Sequence, residues 1–478
     1  MTAPAAVRVS LLTKVSYGMG AVAFGVKDNG FGVFLLIFYN QVIGMPADMV
    51  GLAVMIALIA DAFIDPVIGH LSDRTNTRWG RRHPWMYAAI LPIAFSWLLI
   101  WNPPDWSHNM LFFYMIGATI LVRTALSCNE VPVQAIVPEL TGDYHERTKI
   151  IRFRALFGWG GGLLMLLLAY GVFLVPTAEQ PVGQLNRAGY EVYALAGAAM
   201  MAVSVLIAGL GTHKQIAHRP LNTPPSQPLG AELRAIGSTL NNRAFLTLMV
   251  AGVFAFINQG IIFAMTNYLM TYVWEFSTRA FLAYPIAIFI GVLVAFFLVT
   301  PLSHRLGKKH AAALCVILTM FIGFVPYLLR AADLMPVNGS LASLTILMTF
   351  VAISTGVGTG AMIIAQSMMS DVVEASQAQT GKRQEGLFFA GYLFMQKCIS
   401  GFGIFLSGAI LTMAEFPEKA QQGQVPLEIL DRLLMITGGL IFFFSILSAL
   451  IFLRFPFGKA EHDARLAHLT EATQQKGE

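Results

Sequence analysis

The chain has 478 residues, 56% of them hydrophobic and only 12% charged. A soluble globular protein carries roughly twice that charged fraction, so the composition excludes a soluble fold and points to a polytopic membrane protein. The net charge of +5 is spread over separate short loops, which argues against a nucleic-acid surface.

A membrane helix needs about 20 consecutive apolar residues, and the sequence supplies twelve such stretches. Helices are the expected form, because lipid cannot satisfy open backbone amides and no series of short alternating strands suggests a barrel. The first six spans are expected near 15–43, 48–71, 84–102, 109–136, 153–175 and 190–211. A polar, proline-containing linker follows over 212–242, and six more spans lie near 243–273, 280–302, 311–329, 340–369, 386–413 and 433–454, before a tail over 455–478. The fold class is therefore all-α, with two six-helix halves at 1–211 and 243–454. Lys and Arg concentrate in the loops after spans two, four and eight, which predicts both termini on the cytoplasmic side. No cleavable signal is evident at the first span.

In span one, "GVKDNG" places Lys27 and Asp28 near the middle. Span two reads "ADAFIDPVIGHLSDR", with Asp61 and Asp65 four residues apart and so on one helix face. A carboxylate at the centre of a span costs about 2.5–3.5 kcal/mol on insertion scales. Two such acids repel unless one holds a proton or a cation sits between them, which is what a coupling-ion site requires. Pro66 adds a freed backbone carbonyl. The loop that follows carries Asp73, Arg74, Arg78 and Arg81, expected to form a gate of charge pairs.

Span four holds Arg123 and Glu130, seven residues apart and on one face; the loop after it carries Arg147, Lys149 and Arg152, and Arg154 opens span five. Span eleven contributes Lys397 within "FMQKCISG". Cys128, Cys315 and Cys398 fall inside spans, with neither metal-ligand nor disulfide spacing, and read as small buried hydrophobes. The "GVGTGAM" run at Gly356 has no preceding strand and no following Lys-Ser/Thr, so it reads as helix packing through small residues rather than a phosphate loop. "GHLSDRTNTRWGRR" after span two and "TPLSHRLGKKH" after span eight repeat a Leu-Ser-x-Arg pattern at corresponding places in the two halves. Two parallel six-helix halves are the transporter arrangement of the major facilitator superfamily.

Four segments carry a closer resemblance: "YGMGAVAFGVKDNG", "DAFIDPVIGHLSDRTNTRWGRRHPW", "NEVPVQAIVPELTGDYHERTKIIRFRALF" and "FMQKCISG". They resemble the melibiose permease-like glycoside–pentoside–hexuronide:cation symporter family of that superfamily. The resemblance implies that Asp61 and Asp65 form the cation site, with Ser127 where a Thr hydroxyl completes it. It implies that Asp28, Glu130 and Arg154 contact the sugar and that Lys397 links the charge network, which the embedded charges Lys27 and Arg123 are expected to join. Four departures stand out. Ile64 takes a place that Asn holds in sodium-using relatives, Gln134 replaces a sugar-stacking aromatic, Glu130 replaces Asp, and Arg123 is an additional cation where a small residue is usual.

The expected function is a cation-coupled symporter of a sugar, glycoside or hexuronide, working by alternating access in the plasma (inner) membrane. It would act as a monomer without a cofactor, with H+ or Na+ as coupling ion; the missing oxygen at Ile64 favours the proton. A carrier of a lysolipid or other amphipathic solute is the alternative. An enzyme is disfavoured, because the acid pair shares one helix and no nucleophile–base or metal-ligand constellation is visible.

Overall fold

A computed structural model describes residues 9–141, 143–216, 230, 234, 237–380 and 385–457. All regular structure among the described residues is helical, and twelve helices are long and apolar enough to cross a membrane. They are α1 (Leu11–Ile43), α2 (Ala47–Arg74), α3 (His83–Trp101), α4 (His108–Leu140), α5 (Glu146–Phe173) and α6 (Arg187–Gln215). Then follow α7 (Arg243–Val273), α8 (Thr278–Leu306), α9 (Lys308–Ala331), α10 (Leu341–Gln377), α11 (Gly386–Met413) and α12 (Leu427–Leu453). The chain is an all-α polytopic membrane protein. Most of the expected linker and tail lie outside the described residues.

Several helices run past the apolar stretches that announce them. Hydropathy reports the thickness of the lipid, whereas a helix continues for as long as its polar ends find partners. Arg147, Lys149 and Arg152, read from sequence as a loop, therefore lie in the first turns of α5. There Glu146 accepts from Lys149 Nζ at 2.7 Å and pairs with Lys14 of α1 at 2.6 Å.

Local sequence sets the ends of α1. The Ser10 hydroxyl accepts from the Thr13 N–H at 3.1 Å, satisfying one of the first-turn donors that a helix leaves open. At the other end Gly44 closes the helix at φ +89°, a left-handed conformation that glycine adopts without steric penalty. Just before it, Phe38–Ile43 widens into a π-turn, as do Ala169–Phe173 in α5 and Leu269–Val273 in α7.

The chain forms two compact units. The first comprises residues 1–232, 260–285 and 400–433, and the second residues 233–259, 286–399 and 434–478. Within the first, α1 and α5 approach through glycines: a Cβ on Gly25 would stand 2.7 Å from the backbone N of Gly162. Small residues allow this close helix packing in a bilayer, where burial of apolar surface gives no driving force. Trp101 stacks on Tyr190 with ring centroids 5.6 Å apart, among fully buried Phe34, Phe38, Trp97 and Tyr193. Beside them lies a buried polar clasp between the ends of α1 and α7. Tyr268 donates its hydroxyl to Asn40 Oδ1 at 2.8 Å, Tyr272 donates to Gln41 Oε1 at 3.1 Å, and Gln41 Nε2 donates to the Pro417 carbonyl at 3.0 Å. The second unit has its own apolar core, which includes Phe245, Phe256, Met368, Phe388, Tyr392 and Phe452.

Candidate cation and solute site

The two acids of α2 meet α4. Asp61 is 2% exposed and Asp65 half-buried. Ser127, 2% exposed on α4, stands between them, with its Oγ 3.2 Å from Asp61 Oδ1 and 2.6 Å from Asp65 Oδ1. A hydroxyl has one hydrogen and so donates to one carboxylate at a time. The three residues expected to form the cation site thus converge, by i,i+4 spacing on one helix and a single hydroxyl on its neighbour. α2 continues unbroken through Pro66, whose missing N–H leaves the Ala62 carbonyl without its usual intrahelical donor. Ile64 is half-buried beside Asp65 and offers no oxygen.

Arg123 occupies a more definite place than the sequence suggested. One turn from Ser127 on α4 and only 5% exposed, it donates from Nη1 to Asp61 Oδ2 at 3.0 Å. Its guanidinium also lies over the Phe31 ring of α1, 4.9 Å from the centroid, a cation–π arrangement. Arg123 Nε is buried and has no hydrogen-bond partner among the described residues.

A second cluster lies three residues further along α4. Glu130 Oε1 accepts from Arg154 Nη2 of α5 at 3.1 Å and from Gln134 Nε2 at 3.2 Å. Both members of the Glu130–Arg154 pair keep about a fifth of their side chains exposed, 18% and 22%. Gln134, expected only as the replacement of an aromatic, is a hydrogen-bonding member of this cluster. A small cleft opens here, lined by Gly20 and Phe24 of α1, Asn129, Glu130 and Val133 of α4, and Arg154. Two of these residues gave no signal in the sequence. Asn129 is 2% exposed, and its Oδ1 has no partner among the described residues. Phe24 carries the Lys27 ammonium over its ring at 4.2 Å. Lys27 is 5% exposed and lies 3.8 Å from Asp28, whose side chain is 56% exposed. Lys397 is half-buried on α11, in the second unit.

The gate residues divide. Arg81 donates from Nε and Nη2 to Glu139 Oε1 at the end of α4, at 2.9 and 2.6 Å. Asp73 pairs with Arg82, a buried arginine that the sequence reading passed over, and Arg82 also donates to Ser72 Oγ at 2.7 Å. Arg74 and Arg78 are exposed, the latter lying against Trp79. The spacing of the loop gave no sign of Glu139, because the acid that receives these arginines lies on another helix.

Comparison with known proteins places this geometry. Residues 16–459 match the model of the MFS/sugar transport protein family, and the chain belongs to that family. It is 27% identical to an uncharacterized symporter, sll1374, of Synechocystis sp., across 88% of this chain and 89% of that protein. It is 25% identical to the isoprimeverose transporter of Lactiplantibacillus pentosus (84% and 79% covered) and 23% identical to the sodium-dependent lysophosphatidylcholine symporter 1 of Gallus gallus (98% and 92% covered). In fold it is similar to the crystal structure of a D-xylose-proton symporter, with a TM-score of 0.62 at 14% identity over 93% of this chain and 97% of that one. The resemblance read from the motifs holds: this is a transporter of the major facilitator fold and not an enzyme.

Proposed function

We propose that this member of the family is a cation-coupled symporter of a sugar, glycoside or hexuronide, working by alternating access in the plasma membrane with both termini cytoplasmic. The observation that carries the reading is the convergence of Asp61, Asp65 and Ser127 inside membrane helices, three residues along α4 from the Glu130–Arg154 pair. A coupling cation entering at the acid pair removes negative charge there. Through α4 that change reaches Glu130 and its cleft, where Arg154, Gln134, Asn129 and Glu130 offer the mixed donors and acceptors that a polyhydroxy solute needs. Asp28 is the second acid proposed for the solute, with Lys27 as its companion cation, and Lys397 is the contribution of the second half to the charge network. The halves 1–211 and 243–454 rock about the linker, and the Arg81–Glu139 and Arg82–Asp73 pairs form the cytoplasmic gate.

One observation favours a second reading. Gln134 is turned to Glu130 where the sugar carriers place an aromatic, and a relative that covers nearly the whole chain is named for lysophosphatidylcholine. The experiment that tests both is uptake of labelled glycosides, hexuronides and lysolipids into proteoliposomes, with proton and sodium gradients imposed separately. Uphill accumulation of a glycoside under one gradient is the expected result. Accumulation of lysolipid alone would replace the sugar reading, and accumulation of nothing would end both.

A further inference from the structure

Arg123 is a buried charge at the acid pair to which the transport reading gives no task. We propose that its guanidinium is a tethered counter-ion occupying the place a sodium ion would take at Asp61, so that the acid pair accepts a proton and excludes sodium. The inference rests on the reading of Asp61, Asp65 and Ser127 as the coupling site and goes on to name its ion.

Three features carry it. The first is charge. An arginine in a protein stays protonated, so the cation at Asp61 Oδ2, 3.0 Å from Nη1, does not come and go by titration. The Phe31 ring under the guanidinium and the 5% exposure of the side chain hold it at that place. A second cation brought to Asp61 would meet this charge at close range with little water to screen it.

The second feature is coordination. A hard cation such as sodium needs several oxygen ligands around it. Of the four carboxylate oxygens here at least three are engaged, Asp61 Oδ2 by the guanidinium and Asp61 Oδ1 and Asp65 Oδ1 by the Ser127 hydroxyl, so a sodium shell would have to displace these partners. Position 64 is isoleucine and adds none.

The third feature is that a proton fits the same atoms without rearrangement. When Asp65 is protonated it donates to Ser127 Oγ across the 2.6 Å contact, and Ser127 turns its own hydrogen to Asp61 Oδ1 at 3.2 Å. When Asp65 is ionised the Ser127 hydrogen turns back. One proton on Asp65 is then the only charge that varies, against a fixed Asp61–Arg123 pair. Besides these, the neighbouring helices of the same unit carry Lys27 and Asp28 on α1, Glu130 on α4 and Arg154 on α5.

The test uses the purified full-length protein and 22Na+ alone, with no solute, measured by scintillation proximity at constant pH. Wild type is expected to show no saturable sodium binding up to tens of millimolar. Arg123→Ala and the gentler Arg123→Gln are expected to gain saturable sodium binding, and Asp65→Asn added to either is expected to remove it. Saturable binding in wild type, unchanged in both variants, overturns the proposal. So does absence of binding in both variants when they elute and melt as folded protein. Because no solute is involved, failure here leaves the symport reading standing, and failure of every uptake assay leaves the sodium result standing.

Discussion

Arg81 of the loop between α2 and α3 reaches Glu139 near the end of α4, and Lys308 at the start of α9 reaches Asp371 of α10 in the same manner, at 2.6 and 2.8 Å. The two clasps follow the Leu-Ser-x-Arg repeat, Leu71 to Arg74 in one half and Leu302 to Arg305 in the other. Deeper in the helices the likeness ends. On that alignment Asp61 and Asp65 of α2 stand opposite Val292 and Phe296 of α8, and with Glu139 matched to Asp371, Arg123 and Glu130 of α4 stand opposite Thr355 and Met362 of α10. Where the first pair of helices meets through charges, the second meets through glycine: a Cβ on Gly356 would lie 2.9 Å from the Gly291 carbonyl. The lesson concerns what the charges are for. At this depth the counterpart positions of α8 and α10 carry no charge, and a buried ion pair is seldom more stabilising than well-packed apolar groups, so the charges of α2 and α4 call for a function.

The comparison breaks most sharply at Asp65. Asp65→Asn keeps the shape and the acceptor for Ser127 but removes the ionisable group, so uphill accumulation should fall to the equilibrium level while the protein remains inserted and folded. The counterpart Phe296→Leu should leave accumulation near wild type. Counterflow and gradient-driven uptake in proteoliposomes separate the two outcomes. Full uphill uptake by Asp65→Asn would remove this acid from the coupling mechanism.

Asp61 should behave differently from Asp65, because it is bound to Arg123. Asp61→Asn leaves a buried guanidinium without its carboxylate, and breaking a buried pair in this way costs about 3–5 kcal/mol. The double variant Asp61→Asn/Arg123→Gln removes both charges and should recover most of the loss in melting temperature without recovering coupling. A single variant that melts with wild type would show that the pair contributes little.

How much of this was legible in the sequence depends on which quantity the residue pattern reports. Twelve apolar stretches and an acid pair at helical spacing are large signals, since the stretches match the thickness of the bilayer and buried acids carry an energetic cost that chance does not sustain in a membrane helix. Helix ends were missed by several residues, the start of α5 and the end of α10 most of all, because polar end turns are held by pairs such as Lys14–Glu146 that lie far apart in sequence. Arg123 was visible as a surplus cation, but its seat on Asp61 depends on the register of α4 against α2. Asn129 and Phe24 were invisible, being ordinary residues for a span and distinguished only by the cleft they line. Asp28 and Lys397 stood out as charges inside spans, and the resemblance supplied the roles proposed for them.

A smaller effect tests the glycine side of the comparison. Gly356→Val places new methyl groups where Gly291 and Val294 already stand close, and overpacking of this kind costs about 1–3 kcal/mol. The thermal melt should drop without any change in ion selectivity. A drop in sodium or proton dependence at unchanged stability would instead show that this contact belongs to the coupling mechanism.

The smallest expected effect is at the shared clasp. Lys308 and Asp371 keep 29% and 11% of their side chains exposed, so solvent screens the pair and its worth is near the upper end for exposed pairs, about 1 kcal/mol. Lys308→Met should therefore move the melt slightly. If the clasp acts as a gate, however, its effect falls on the balance between conformations rather than on stability. A change of about 1 kcal/mol in that balance shifts a two-state population about fivefold, enough to alter labelling of a cysteine placed behind the loop. The charge swap Lys308→Asp/Asp371→Lys should restore much of the melt and of the labelling rate, since it rebuilds the ion pair between the same two positions. The same swap at Arg81 and Glu139 should restore less, because Arg82 also lies 3.6 Å from Glu139 and would face a new arginine. Equal rescue at both places would mean that Arg82 contributes nothing to the first clasp and that the two are one device used twice.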